Sequence, residues 1–438
     1  MKAENDAIMI YKAAVAAVQP VRLLPKYIQF RENCLYIAGM HIEMNNQQKI
    51  YVIGSGKAAA AMAQVTENIL GKYIRGGFIV TKYKHALPLQ HISYMEAAHP
   101  VPDKNSLLAS ERTKSILQKA TEKDIIICLL SGGASSLLES IPESISLHDM
   151  QQLSQQLLNS GASIAEMNIV RKHISTIKGG QLLKYAPTSK WISLIISDVP
   201  GNNPEMIASG LTAGDVSTFK DAIQIINRYQ LYDKIPHSVS NYLENGSKGL
   251  IPETIKYDDA ILKNVQNIII GSNTIALQVA ISKGKELGYH TIIHENSLQG
   301  DAAIAAKDFI STCYEYSGPL PACLLMGGET TVRVTGKGKG GRNQHFALAA
   351  LLEMMKSNCL EKNITILSAG TDGTDGPTDA AGAIVDNYTI EDVIKYNYEP
   401  RQYFDNNDSY QFFQQAGGLI STGATQTNVM DIMIALIR

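Results

Sequence analysis

Six glycine- or proline-bearing turns each close a short β-branched or apolar run, and this rhythm limits what the chain can fold into more than any other feature. The turns are Gly54-Ser-Gly-Lys57, Ser131-Gly-Gly133, Ser197-Asp-Val-Pro200, Gly271-Ser-Asn273, Gly327-Gly-Glu329 and Gly370-Thr-Asp-Gly-Thr-Asp-Gly376. The runs before the first and the next two turns, residues 49–53, 124–130 and 191–197, read as strands, with another at 77–81. Continuous apolar runs of this kind are buried on both faces of a parallel sheet, and helical stretches such as 57–70 separate them. The fold class expected is α/β, with doubly wound layers. At 438 residues the chain exceeds one ordinary core, and the rhythm restarts at 265–270 after the loop-forming Asn245-Gly-Ser-Lys-Gly-Leu-Ile-Pro252. Two domains are therefore expected, 1–250 and 258–438, with a cleft between them. Further strands are predicted over 290–294, 323–326, 330–335 and 364–368, and one helical stretch over 218–244.

A net charge of -2 gives no overall pull toward nucleic acid or an anionic membrane, so any affinity for phosphate must be local. Apolar residues at 45% and charged residues at 18% exclude a disordered chain. The N-terminus carries Glu4 and Asp6 and lacks the basic start of a signal peptide. No window reads as the ~18 apolar residues of a membrane span. Cys34, Cys128, Cys313, Cys323 and Cys359 show neither a C-x-x-C nor metal-ligand spacing, and Cys128 reads as a small buried hydrophobe. The expectation is a cytoplasmic enzyme with no nucleic-acid or membrane partner.

The segment best suited to phosphate is Gly336-Lys-Gly-Lys-Gly-Gly-Arg342, where a predicted strand over 329–335 gives way to a predicted helix over 342–355. A flexible backbone at a helix N-terminus, with Lys337, Lys339 and Arg342 close by, suits an anion. This run fits G-x-G-x-x-G and Gly54-Ser-Gly-Lys-Ala-Ala59 fits G-x-G-x-x-A, so a dehydrogenase has to be weighed. Neither is followed by the ribose-binding acid expected about 20 residues on. The first leads instead into the basic Thr81-Lys-Tyr-Lys84. The P-loop pattern and the V-A-I-K and H-R-D signatures of protein kinases are absent.

Phosphoryl transfer on another scaffold needs cations on the moving group, carboxylates for a metal and backbone donors for the remaining phosphates. Lys57 and Arg342 sit at helix starts behind glycines, where a cation opposes the helix dipole unless an anion neutralises it. Asp198, Glu329, Asp372, Asp375 and Asp379 are candidate acids for Mg²⁺, although Asx turns also explain the acids of 370–379. His99 and His173 are candidate acid/base groups. Arg171 and Lys178 form a basic cluster that suits a substrate carboxylate, with a solvated helix face as the alternative.

Further matches are Ala98-His-Pro-Val-Pro-Asp103, Asn168-Ile-Val-Arg-Lys-His173, Ile177-Lys-Gly-Gly180, Gly340-Gly-Arg-Asn-Gln344 and Asn407-Asp-Ser-Tyr410. Together with the six turns, extended to Gly54-Ser-Gly-Lys-Ala58 and to Pro377-Thr-Asp379, they resemble the class II glycerate 2-kinase family, whose C-terminal half is called the MOFRL domain. The resemblance spans nearly the whole chain in order. It implies a larger Rossmann-like α/β/α domain with a mostly parallel sheet and a smaller C-terminal α/β domain, with the active site in the cleft between them. It also implies phosphorylation of D-glycerate at the 2-hydroxyl to 2-phosphoglycerate, using ATP and Mg²⁺. The family's proposed active-site lysine and arginine fall on Lys57 and Arg342, and Asp198 joins them as a catalytic candidate.

Nucleotide contacts are expected from Gly54, Ser55, Gly56, Ser131, Gly132, Gly133, Gly338, Gly340, Gly341 and Asn343. Glycerate is expected at Arg171, Lys178 and His99, and metal at Asp198, Glu329, Asp372 and Asp375. The chain departs from the family pattern at His345, where glutamate is usual, and at Gln426, where glycine is usual. A monomer or homodimer acting on a small molecule is the expected form. The alternatives are an NAD(P)H-dependent hydroxypyruvate reductase and a nucleotide-binding module without turnover.

Overall fold

The computed structural model describes residues 2–45, 48–356 and 362–438, so Cys359 lies outside the described residues. The chain divides into two compact units, an N-proximal one of residues 23–270 and a C-terminal one of residues 271–438 joined by residues 1–22.

The N-proximal unit begins with a three-stranded antiparallel sheet of β1 (Ile28–Arg31), β2 (Cys34–Ile37) and β3 (Met40–Glu43). Its main sheet contains β4 (Ile50–Ser55), β5 (Ile74–Lys82), β6 (Ser93–Ala97), β7 (Ile125–Leu130), β8 (Lys190–Ile196) and β9 (Val265–Gly271), in the order β6-β5-β4-β7-β8-β9. β4 runs parallel to both β5 and β7, as β5 does to β6 and β7 to β8. Every residue of β4 and β7 is buried, as expected of strands covered on both faces. Chain order reverses between β4 and β7, the switch point at which such sheets bind ligands. Phe78, Cys128 and Trp191 pack in one core, and a second apolar cluster joins helices Ile164–His173, Phe219–Arg228 and His237–Ser247. The helical stretch predicted over 218–244 is thus two helices, separated where Gln230 turns left-handed (φ 53) and Pro236 caps the second. The expected junction at 245–258 lies inside this unit. Ile255 N–H donates to Gly179 O (3.0 Å), its carbonyl accepts from Asp215 N–H (2.8 Å), and β9 follows as a strand of the main sheet.

The C-terminal unit carries β10 (His290–Leu298), β11 (Ala322–Gly328), β12 (Ile364–Gly370), β13 (Gly382–Val385), β14 (Leu419–Ile420) and β15 (Asp431–Ile437), in the order β10-β11-β15-β12-β13-β14. β10 and β11 are parallel, whereas β15 runs antiparallel between β11 and β12. The strand predicted over 330–335 does not form. Past Gly328 the chain makes one bridge, Thr331 to Asp301, and the Thr335 amide turns to Asn407 Oδ1 (2.8 Å) instead of a neighbouring strand.

Helix Lys2–Ala17 belongs to this unit and not to a domain of residues 1–250. Ala7, Ile10, Tyr11 and Ala14 are buried, Tyr11 donates its hydroxyl to Gly370 O (2.7 Å), and Asp6 accepts from Tyr289 (2.7 Å) and Arg438 (2.6 Å). Contrary to the sequence reading, Lys2–Tyr27 is long and apolar enough to cross a membrane by length and composition. Half of its most apolar window is buried, and the contacts just given make its first helix a core element of the unit.

Candidate active site

At the switch point the turns after β4 and β7 are bolted together. Ser131 N–H donates to Ser55 O (3.1 Å), Lys57 N–H to Gly132 O (2.9 Å) and Ala58 N–H to Ser131 Oγ (3.0 Å), while Gly56 N–H reaches Val80 O (3.2 Å). These are the amides that a dinucleotide fingerprint aims at a pyrophosphate, and here the protein itself occupies them. Ser55 and Ser131 are buried within the same joint, so their hydroxyls hold the turns together and do not face a ligand. Gly133 is left-handed (φ 84), and a Cβ there would lie 2.9 Å from His99 Cδ2 and 3.5 Å from Lys57 Cγ. Glycine thus lets the imidazole and the lysine stem close over the β7 turn. Asp198 follows β8, the next strand, and is half-buried.

A second polar cluster sits deeper in this unit. Lys178 is fully buried with its ammonium on the buried carboxylate of Glu139, so it cannot touch a substrate carboxylate as expected. Glu139 also accepts from Ser140 N–H (3.0 Å) and Ser175 Oγ (3.2 Å). Burial pushes the pKa of Arg171 down, opposed by Glu139, and acts on Lys178 in the same direction. Arg171 Nε is buried without a partner. Two cations sharing one carboxylate leave local positive charge, which is the environment an anion completes. Glu139 carries no motif and was invisible in sequence. His173 leaves the acid/base candidates. Its Nδ1 meets Ile169 O (2.8 Å), its Nε2 meets Glu253 (3.2 Å), and the ring packs edge-on against Phe219.

In the C-terminal unit Arg342 is gripped by two acids. Its Nε and Nη2 donate to the two oxygens of Asp431 (2.5 and 2.9 Å), and its Nη1 lies 2.8 Å from Glu329. Burial alone would lower the guanidinium pKa, but Asp431 and then Glu329 outweigh it and hold it raised. Asp431 is fully buried and pairs in register with both Gly328 and Gly370. Because β15 is antiparallel, its first residue lands where its neighbours end.

The glycine run differs from the phosphate cradle expected. Asp375 Oδ1 accepts from Asn343 N–H (3.1 Å) and Oδ2 from Gln344 N–H (2.8 Å), at the start of helix Arg342–Lys356. A protein carboxylate therefore fills the anion position at that helix N-terminus, and Asp375 is a cap, not a metal ligand. Gly341 is required by this approach, since a Cβ there would overlap Asp375. Asn343 is buried, with its amide between Asp375 (3.3 Å) and Ser368 Oγ (2.7 Å), so it is not a nucleotide contact. The amides of Gly336, Lys337, Gly338 and Lys339 all bond to Asn406, Asn407 or Asp408, which clamps the run as a ribbon on that turn. Asp372 forms the Asx turn, accepting from Thr374 N–H and Oγ1 at 3.0 Å each. Among the described residues no group of three or more His, Cys, Asp or Glu side chains is placed to hold a metal ion.

Burial pushes the Asp375 carboxyl up to about 6, against the two helix amides that pull it down. The native state therefore binds this proton more tightly than the unfolded chain, so the group's contribution to stability rises as pH falls from 7 through 6 toward 4. Relative to Asp375→Asn, the wild type is expected to gain about 1–3 kcal/mol over that window in urea titrations. A difference independent of pH would contradict this.

Beside Arg342 lies a cavity of about 490 Å³, bounded by Gly338, Thr330, Val332, Val334, His345 and Pro377. Residues 6–244 match a family described as a domain of unknown function (DUF4147), and residues 322–431 match the MOFRL family. The glycerate 2-kinase of Pyrococcus horikoshii is 40% identical over 97% of this chain and 95% of its own length. The chain belongs to the MOFRL-family glycerate kinases. Within that family, the D-glycerate 2-kinase of Thermotoga maritima is 40% identical over 90% of this chain and 91% of its own. The crystal structure of a glycerate kinase from T. maritima matches with a TM-score of 0.85 at 38% identity, covering 100% of both chains.

The two departures from the family pattern differ in kind. Gln426 takes a left-handed backbone (φ 62), the conformation that a glycine adopts without strain. His345 is buried, stacks on Phe404 (centroids 4.3 Å apart) and replaces the family's glutamate by an imidazole whose pKa burial lowers.

Proposed function

We propose that this protein transfers the γ-phosphoryl group of ATP to the 2-hydroxyl of glycerate. The reading is carried by one observation, that each unit sets a basic residue at the carboxyl ends of its strands, the Lys57 stem against Gly133 of the β7 turn and the Arg342 guanidinium on Asp431. A loose phosphoryl-transfer transition state asks for positioned charge more than for a strong base. Lys57 and Arg342 are assigned to neutralise the moving group. Arg171, with its unpartnered Nε, is assigned to the glycerate carboxylate, and Lys178 acts only through the charge it shares with Glu139. His99, against Gly133 beside the Lys57 stem, is assigned to orient the acceptor. Gly132, Gly133 and Gly340 are the backbone positions assigned to phosphate.

Mg²⁺ fits the donor set left once Asp375 is committed to the helix. Asp372 is half-buried and Glu329 is partly exposed, both offer hard oxygens, and a cation that completes its shell with phosphate and water needs one or two such ligands. Asp372 and Glu329 would hold it, and the ion would supply neutralisation of the phosphates. The expected result is ADP release that depends on D-glycerate, with 2-phosphoglycerate as the product resolved from the 3-isomer by NMR. NADPH oxidation with hydroxypyruvate in the absence of such release would overturn the reading. ATP binding without glycerate-dependent turnover would reduce the protein to a binding module.

A further inference from the structure

The turn Gly271-Ser-Asn273 has no part in the proposed reaction, yet its asparagine is committed to the strand entry that carries Asp431. Asn273 is the first residue of helix Asn273–Glu286 and is 2% exposed. The helix start is capped by Ser272, whose hydroxyl accepts from Ile275 N–H (3.4 Å), so the Asn273 side chain is not needed for that task. Its amide nitrogen donates instead to Val429 O and to Asp431 O, at 2.9 Å each. Gly327 makes room for this arrangement, since a Cβ there would lie 1.8 Å from Asn273 Oδ1. All of these residues belong to the C-terminal unit.

The two carbonyls flank Met430, which takes a left-handed backbone (φ 69) that residues other than glycine rarely adopt. The Met430 carbonyl accepts from Thr371 N–H (3.0 Å) and Thr371 Oγ1 (2.6 Å). Three successive carbonyls are thus fixed, two of them by one side chain. The planar peptides on both sides of the Asp431 Cα are among them, and their orientation sets the direction in which its side chain leaves the backbone. Strand pairing alone does not fix this entry, because Asp431 is the first residue of β15 and Val429 and Met430 precede the strand. The carboxylate then takes Nε and Nη2 of Arg342 (2.5 and 2.9 Å). It is fully buried, so its aim is passed on to the guanidinium.

We infer that Asn273 is a positioning residue for Arg342: its amide sets the backbone from which Asp431 aims the guanidinium. It acts through the main chain of residues 429–431. The inference rests on the reading of Arg342 as a cation of the reaction and goes beyond it in naming what fixes that cation's direction.

The test is a double-variant cycle on the full chain, with steady-state kinetics on ATP and glycerate and with urea unfolding. Asn273→Ala should lower kcat about thirtyfold and change KM for either substrate less than about threefold, the pattern of a misdirected group. In the Arg342→Ala background the same substitution should lower kcat less than about twofold further, because the group it aims is gone. A residue that only supports the fold would cost the same factor in both backgrounds. Unfolding midpoints give a readout that does not need the reaction. The drop caused by Arg342→Ala should be at most half as large once Asn273 is alanine. Asn273→Ser keeps one donor at the helix start and carries both cycles if far-ultraviolet dichroism shows that the alanine variant does not fold. A kcat within about threefold of wild type, or equal factors in the two backgrounds, would overturn the inference. In a wild type without glycerate-dependent turnover, a midpoint drop that shrinks would support the role of Asn273 and defeat only the reading of the reaction. An unchanged drop would overturn the inference as well.

Discussion

Replacing Arg342 with alanine should lower kcat with ATP and glycerate by about a thousandfold, the scale seen when one preorganised donor to transition-state charge is removed. The guanidinium is aimed by a fork: Nε and Nη2 are both committed to Asp431, and Nη1 remains shared with the more exposed Glu329. Arg342→Lys should therefore fail nearly as badly, by about a hundredfold, because one ammonium cannot hold both Asp431 oxygens and still face the ligand. Asp431 is fully buried, so Arg342→Ala also strands a carboxylate and should lower stability by about 3 kcal/mol. The two effects separate in one set of measurements, kcat under saturating substrates and unfolding midpoints in urea. If Arg342→Ala turned over within about fivefold of wild type, the guanidinium would be structural and the two-cation scheme would lose its C-terminal half.

Asp431 also shows where sequence reasoning stopped. The strands that carry glycine turns were legible because a buried parallel strand is an apolar run followed by a turn, a form that β4 and β7 have throughout, β8 has after its first residue and β9 has only over its last residues. A search built on that form looks at the carboxyl ends of strands. β15 enters the sheet in the opposite sense, so its functional residue is its first, and no glycine marks it. The glycine run misled for a related reason. Glycines at a helix start were read as room for phosphate, whereas Gly341 makes room for Asp375, and the amides before it are held by Asn406, Asn407 and Asp408. Local pattern could identify an anion position at that helix but not which anion fills it. The failed strand at 330–335 belongs to the same region, where β-branched residues line a cavity instead of pairing. Lys57 was legible as chemistry because a cation behind glycines at a helix start opposes the helix dipole unless an anion neutralises it, whereas the meeting of its turn with the β7 turn and His99 came only from the fold.

Glu139→Gln should destabilise the protein by about 3–5 kcal/mol, a large fraction of the stability of a typical domain. Lys178 is fully buried, Arg171 is partly so, and Glu139 is the acid shared by both. Taking away its charge leaves an ammonium with no compensation in the interior, while the hydrogen bonds from Ser140 and Ser175 are only partly kept by an amide. The cause can be isolated by removing the partner as well. In the double variant Glu139→Gln with Lys178→Met the stranded charge is gone and the side-chain volume is retained, so more than half of the lost stability should return in urea titrations. If the single and double variants unfold at the same denaturant concentration, the damage comes from packing around Glu139 and not from charge. The double variant also bears on function. It keeps Arg171 but removes one positive and one negative charge behind it, so an Arg171 that holds the glycerate carboxylate should show a KM for glycerate within about threefold of wild type, whereas Arg171→Ala should raise it by about a hundredfold.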